Sequence, residues 1–118
     1  MSAALVLGSA KKKPFAKDKR IGIFMHQKSS ALNGALFNNV LGIAPGTTGN
    51  ELLESGRKQL TETYPHVVQI AKEKVTSVQP IDGGITIMTN KNSYSSCIVV
   101  VAVGPSNLFN IDGLNQYI

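Results

Sequence analysis

The 118 residues are enough for one domain or part of one, and their apolar content is typical of a globular protein. No apolar run approaches the roughly 20 residues that cross a bilayer, and an apolar start followed by lysines reverses the order of a signal peptide, so we expect a cytoplasmic protein without a membrane partner. The single cysteine, Cys97, excludes an internal disulfide, a C-x-x-C redox pair and a cysteine-based four-ligand zinc site.

The net charge of +5 is unevenly distributed. Half of the basic residues lie in one short run, and the rest of the chain is close to neutral: Lys11, Lys12, Lys13, Lys17, Lys19 and Arg20. The run holds one aromatic residue, Phe15, and has no amphipathic period. A solvated lysine-rich connection is favoured over a nucleic-acid patch.

The first third of the chain predicts a helix, a strand and a long loop. Residues 2–10 are rich in Ala and Leu and predict a short helix, which Pro14 stops or kinks. The run RIGIFM at residues 20–25 has the signature of a buried strand. Residues 26–46 carry Asn, Ser, Gly and Pro at short intervals and predict a mostly irregular loop.

The clearest helix is predicted over residues 49–64. Thr48 or Asn50 can cap it, and Glu51 and Glu54 lie in the first turn, where the helix dipole favours acids. Apolar or small residues recur at three- and four-residue spacing on one face: Leu52, Leu53, Gly56, Leu60 and Tyr64. Pro65 ends the helix.

Four strands are predicted after this helix, at residues 66–70, 75–80, 84–89 and 94–103. The last three are joined by turn chemistry and form a meander. The run CIVVVAV at the end is apolar on both faces, which is typical of a central strand covered on both sides. We therefore expect Cys97 to be a buried packing residue.

This order of elements resembles the flavin domain of thioredoxin-reductase-like pyridine nucleotide-disulfide oxidoreductases. The matching stretches are SAALVLGSA, RIGIFM, NNVLGIAPGTTGNELLESGRKQL, EKVTSV and CIVVVAVGPSNLFNIDGL. The resemblance implies an α/β fold: a partial FAD/NAD(P)-binding Rossmann-like domain with a parallel sheet, a three-stranded meander and two helices. We expect residues 1–118 to form a single truncated FAD-binding-like domain.

The sequence also departs from the family pattern. The first strand and the G-x-G-x-x-G turn that bind the pyrophosphate are absent from these residues, as are the NADPH-binding domain and its redox cysteines. Where the family has an acidic residue that binds the ribose hydroxyls, at the end of the second strand, this sequence has Met25, followed by His26. The Ala-Thr-Gly motif that follows the corresponding strand in the family is replaced here by Ala102-Val103-Gly104.

By family position, the residues implied at a cofactor site are Met25, His26, Val75, Ala102 and Gly104. The adenine would lie along residues 73–78. We expect no catalytic and no metal-binding residues, and FAD binding that is weak or absent. The function implied is that of a flavin-domain fragment or homologue of such an oxidoreductase, inactive as an isolated chain. The alternative is a non-catalytic α/β interaction module that acts through self-association or a protein partner.

Self-association is expected from the sheet. Without the family's first strand, two apolar strands would be left with unpaired edges. Ala3–Leu7 could close the gap as a strand, but the resemblance makes this segment a helix, which we favour. We therefore predict a homo-oligomer, most simply a dimer, that buries part of residues 97–103.

Overall fold

The computed structural model describes residues 1–25, 31–103 and 111–114. It contains two helices, α1 (Ser2–Ser9) and α2 (Gly49–Thr63), and seven strands. The strands are β1 (Gly22–Phe24), β2 (Leu36–Phe37), β3 (Thr47–Thr48), β4 (Val68–Ile70), β5 (Val75–Ile81), β6 (Gly84–Thr89) and β7 (Ser93–Ser96). None of the described helices is long and apolar enough to cross a membrane.

The chain divides into two compact units, of which the first comprises residues 1–23 and 27–69. Its core is formed by Ala4 of α1, Leu60 of α2 and Val67, which precedes β4. The small residue Gly8 lets α1 approach closely, because a Cβ there would lie 3.0 Å from Val67 and 3.1 Å from Tyr64. The helix predicted over residues 2–10 is thus confirmed, and the alternative of a strand at residues 3–7 is wrong.

Helix α2 begins and packs as its sequence predicts. Thr48 caps it: its hydroxyl accepts from the backbone N–H of Glu51, and the Glu51 carboxylate accepts from the Thr48 N–H at 2.8 Å. Leu53 and Leu60 are buried on the predicted face. The helix ends just before Pro65, which cannot continue it.

The second unit comprises residues 24–26 and 70–118. Its frame is the antiparallel sheet β5-β6-β7, which confirms the predicted meander. Val78 and Ile87 pair across β5 and β6 and form a core with Ile111 and Leu114. The segment at residues 111–114 joins β5, since Val78 N–H donates to Asp112 O and Asp112 N–H donates to Thr76 O.

Strands β1 and β4 pair in parallel. The Val68 N–H donates to Ile21 O and, farther along both strands, the Met25 N–H donates to Ile70 O, each at 2.9 Å. Two strands that run the same way need a long crossover, and here it includes α2. The α/β class, with a parallel sheet, a meander and two helices, is confirmed.

The predicted buried strand at residues 97–103 is wrong. β7 ends at Ser96, and Cys97 is exposed. Ile98 is 74% exposed and Val100 59%, while Val99 alone packs against the core of the second unit. An apolar strand is buried only when neighbouring strands and covering layers are present, and no described strand pairs with this segment.

The loop predicted over residues 26–46 has more structure than its composition indicates. Residues 26–30 lie outside the described part. Ala31–Gly34 forms a 3-10 turn, and β2 then pairs with β3 in an antiparallel register of Leu36 with Thr48. The Asn38 side chain accepts from the Gly46 N–H at 2.9 Å and fixes the intervening turn.

Candidate cofactor site

The candidate site lies where β1 ends, at the carboxyl edge of the parallel strand pair. Ligands of open α/β sheets collect at this edge. Met25 occupies the position directly after β1, and its backbone N–H is bonded to Ile70 O. The Met25 side chain is only 3% exposed. It is a packed thioether and offers no carboxylate for a ribose.

A hydrogen-bonded cluster follows β4 in the second unit. We call it the Glu73 cluster; its members are Glu73, Thr89, Asn92 and Tyr94. Thr89 Oγ1 donates to Glu73 Oε2 at 2.7 Å, and Asn92 Nδ2 donates to Oε1 at 2.7 Å. The Tyr94 hydroxyl lies 2.9 Å from both oxygens. Every oxygen of this carboxylate is therefore engaged by the chain itself.

The same cluster fixes the turn between β6 and β7. Thr89 Oγ1 accepts from the backbone N–H groups of Lys91 and Asn92, at 3.1 and 2.8 Å. Lys74 and Asn90 exchange two further bonds, because Asn90 Oδ1 accepts from Lys74 N–H and Asn90 N–H donates to Lys74 O. The segment leading into β5 is thus tied to the turn between β6 and β7.

The cluster shifts the acidity of two groups. The hydrogen bond from Thr89, supported by those from Asn92 and Tyr94, lowers the pKa of the Glu73 carboxyl despite some desolvation. Burial and the neighbouring Glu73 carboxylate raise the pKa of the Tyr94 hydroxyl. Phe24 meets the Tyr94 ring edge-on, with ring centroids 5.2 Å apart. These groups form a structural clamp in which Glu73 stays ionised and Tyr94 stays protonated.

The other residues assigned by family position are not drawn into one site. Val75 pairs with Thr89 at the start of β5, and its half-buried side chain packs against the core of the second unit. Ala102 is exposed, in the segment that follows β7. His26 and Gly104 lie outside the described residues. Strand β5 begins at Val75, so residues 73 and 74, along which the resemblance would also place the adenine, lie in the irregular segment before the strand.

Other reactive side chains form no second site. In the described ranges, no group of three or more His, Cys, Asp and Glu residues could hold a metal. His66 is half-buried, with its ring edge-on to Tyr64 and its Nε2 buried without a hydrogen-bond partner among the described residues. Its position in the turn between α2 and β4 packs the ring against the end of the helix.

The described residues do not fit a tightly held FAD. A ribose needs an acceptor after β1, where the structure has the buried Met25. The nearest carboxylate along β4 and β5 is Glu73, whose oxygens already accept from Thr89, Asn92 and Tyr94. Sequence reasoning missed the Glu73 cluster. The signal available in the sequence was a single acidic residue before β5, together with Thr, Asn and Tyr around the turn between β6 and β7.

No protein-family profile matches the sequence. Over 60 residues the chain is 35% identical to a ferredoxin–NADP reductase from Streptococcus pyogenes. That match covers 51% of this chain and 18% of the reductase.

The fold is similar to parts of larger solved structures. An oxidoreductase from Agrobacterium tumefaciens aligns with a TM-score of 0.62 and 22% identity, over 80% of this chain and 29% of that one. An atypical thioredoxin reductase from Desulfovibrio vulgaris Hildenborough aligns with a TM-score of 0.59 and 23% identity, over 92% of this chain and 36% of that one. These comparisons confirm that the chain resembles thioredoxin-reductase-like oxidoreductases, over about a third or less of the length of each.

Proposed function

We propose that the chain is a flavin-domain portion or homologue of a thioredoxin-reductase-like flavoprotein oxidoreductase and that the 118 residues alone do not catalyse. The observation that carries the second part is the buried Met25 after β1, where a ribose ligand would need an acceptor. The engaged Glu73 carboxylate supports it, since it cannot bind a ribose without breaking its bonds to the β6–β7 turn.

The chemistry of the sequence supports the same proposal. Hydride transfer through a flavin requires the cofactor to be held and its ring oriented beside a second nucleotide. These residues contain no G-x-G-x-x-G turn to bind the pyrophosphate and one cysteine, which cannot form an internal redox disulfide. Family position would give FAD contacts to Met25, His26, Val75, Ala102 and Gly104, through shape and backbone groups alone.

Equilibrium dialysis against FAD tests this proposal. We expect no saturable binding in the low micromolar range and an unchanged melting temperature with added FAD, because only a ligand that prefers the folded state raises it. Saturable tight binding, or NADPH-dependent reduction of a dye, would contradict the proposal.

The second candidate function is association through the segment at residues 98–103, which we call the apolar segment. Its side chains are exposed at Ile98, Val100, Val101 and Val103. In the described part of the chain, the backbone of residues 99–103 has no hydrogen-bond partner. An uncharged segment rich in β-branched residues, whose backbone has no hydrogen-bond partner among the described residues, is the kind that pairs with another strand.

A homodimer formed through the apolar segment is tested by light scattering at micromolar concentration. We expect a dimer for the unsubstituted chain and a monomer for Val100→Asp, because a charge at the pairing edge opposes association. Leu41→Asp, at an exposed position in the β2–β3 turn, is the matched control and should leave the dimer intact. A monomeric unsubstituted chain would refute self-association while leaving the cofactor proposal untouched.

A further inference from the structure

All of the chain's net charge is concentrated in one segment of the first unit. Residues 11–20 hold six cationic side chains and one carboxylate, Asp18, and so supply five net positive charges, the same as the whole chain. The other 108 positions are balanced. A field of one sign over so few residues attracts an anionic surface.

The cations of this basic segment are exposed and form no ion pair with any residue that the structure describes. The ion pairs of the described residues are those of Arg57 with Glu54 and Lys58 with Glu62, both on α2. Every lysine of residues 11–20, and Arg20, is exposed. The described residues outside the segment therefore do not neutralise its charge.

The basic segment is also held together by its backbone. Consecutive tight turns run through it: Lys11 N–H donates to Gly8 O, Lys13 N–H to Ala10 O, Ala16 N–H to Lys13 O and Lys19 N–H to Ala16 O. Pro14 begins a 3-10 turn, for which its fixed φ is suited. These turns keep the lysines close together and give the segment a defined shape.

An aromatic side chain projects from the middle of the charges. In the 3-10 turn Pro14–Ala16, the small Ala16 is buried and the large Phe15 is 74% exposed. Hydrophobic burial alone would favour the reverse arrangement. Val6 and Leu7, at the end of α1 just before the lysines, are exposed too. Apolar groups thus border and interrupt the cations.

We propose that residues 6–20 form a surface that binds an anionic lipid bilayer. Lysines placed near such a surface are attracted to its headgroups, and an exposed aromatic can enter the interface between headgroups and acyl chains. Binding at the bilayer surface requires no spanning helix. Lysine outnumbers arginine five to one in the segment, which favours diffuse attraction to headgroups over the bidentate contacts that arginine makes with nucleic acids. The proposal is independent of any cofactor.

Vesicle flotation tests it, with vesicles of phosphatidylcholine alone or mixed with phosphatidylserine. We expect the protein to float with the mixed vesicles and not with phosphatidylcholine alone, and the bound fraction to fall as salt is raised. Lys11, Lys12 and Lys13 replaced together by Gln should weaken binding on the order of 100-fold, at about fivefold per lysine. Phe15→Ala should weaken it by about tenfold.

Matched controls distinguish the effect of the basic segment from effects of net charge and of nonspecific hydrophobic adsorption. Replacing Lys58, Lys72 and Lys91 together by Gln removes the same charge elsewhere and should have a much smaller effect. Leu41→Ala removes another exposed apolar side chain and should have none. The proposal would be overturned if the two triple-lysine variants lost vesicle binding equally, or if the protein bound both kinds of vesicle equally. It would also be overturned if an oligothymidine bound with higher affinity and displaced the protein from vesicles. The last outcome would assign the segment to nucleic acid.

Discussion

Replacing Leu60 with Ala should strongly destabilise the first unit. Leu60 is 0% exposed and packs against Ala4 of α1 and Val67 before β4. Leu-to-Ala changes in cores cost about 2–5 kcal/mol, with the larger values where surrounding elements cannot collapse into the cavity. Here the cavity would be walled by α1, α2 and the residues leading into β1 and β4, so we expect about 3–4 kcal/mol.

That loss is a large share of the roughly 5–15 kcal/mol by which a domain is stable. It corresponds to a fall in melting temperature on the order of 10 °C. Far-UV circular dichroism, followed on heating and in urea, measures both. Leu41→Ala is the matched control, because Leu41 is 102% exposed and its truncation should change stability by less than about 0.5 kcal/mol. If the two variants had the same melting temperature, the packing of α1 on α2 around Leu60 would be wrong.

Four further predictions concern single sites. Hydrogen bonds lower the pKa of the Glu73 carboxyl in the folded state below its ordinary range, so its contribution to stability is present above the pKa of the unfolded chain and is lost as pH falls through the folded pKa. Glu73→Gln should therefore flatten the acid limb of a plot of urea midpoint against pH, and an unchanged limb would contradict this. Gly113→Ala should destabilise the protein more than Gly83→Ala. Both glycines have positive φ, which costs an alanine about 1–2 kcal/mol, but only at Gly113 would the new Cβ also clash with Val78 O. Equal urea midpoints for the two variants would disprove the clash. Thr48→Ala should cost about 1 kcal/mol in urea unfolding by removing the cap of α2, and Thr48→Ser should retain most of it, so an equal loss in both would count against the cap. The exposed Cys97 should react with a soluble disulfide reagent in the folded protein nearly as fast as in urea, and a slow folded-state reaction would show that the thiol is covered.

The local elements were predictable because their signals lie within a few residues. The cap at Thr48, the apolar face ending at Leu60 and the stop at Pro65 together specify α2, and the structure confirms them. Turn residues between alternating strands likewise specify the meander. The resemblance to thioredoxin-reductase-like oxidoreductases was also readable from the residues.

The candidate site was less predictable, because its decisive features depend on partners distant in sequence. A lone Glu73 has no visible role until the β6–β7 hairpin brings Thr89, Asn92 and Tyr94 to its carboxylate. Met25 could be identified as a missing acid, but only packing shows that its side chain is buried.

The sequence alone determined the position of α2 and the charge of residues 11–20, since capping, periodicity and composition act locally, and its resemblance to a known family indicated the class of fold. Tertiary structure decided which apolar residues are covered. Ala16 is buried while Phe15 projects outward, and the run at residues 98–103 stays exposed except at Val99, despite its composition. The physical reason is that hydrophobicity measures the gain available from burial, whereas burial itself requires a neighbouring surface, and pairing a strand requires another strand with free backbone groups.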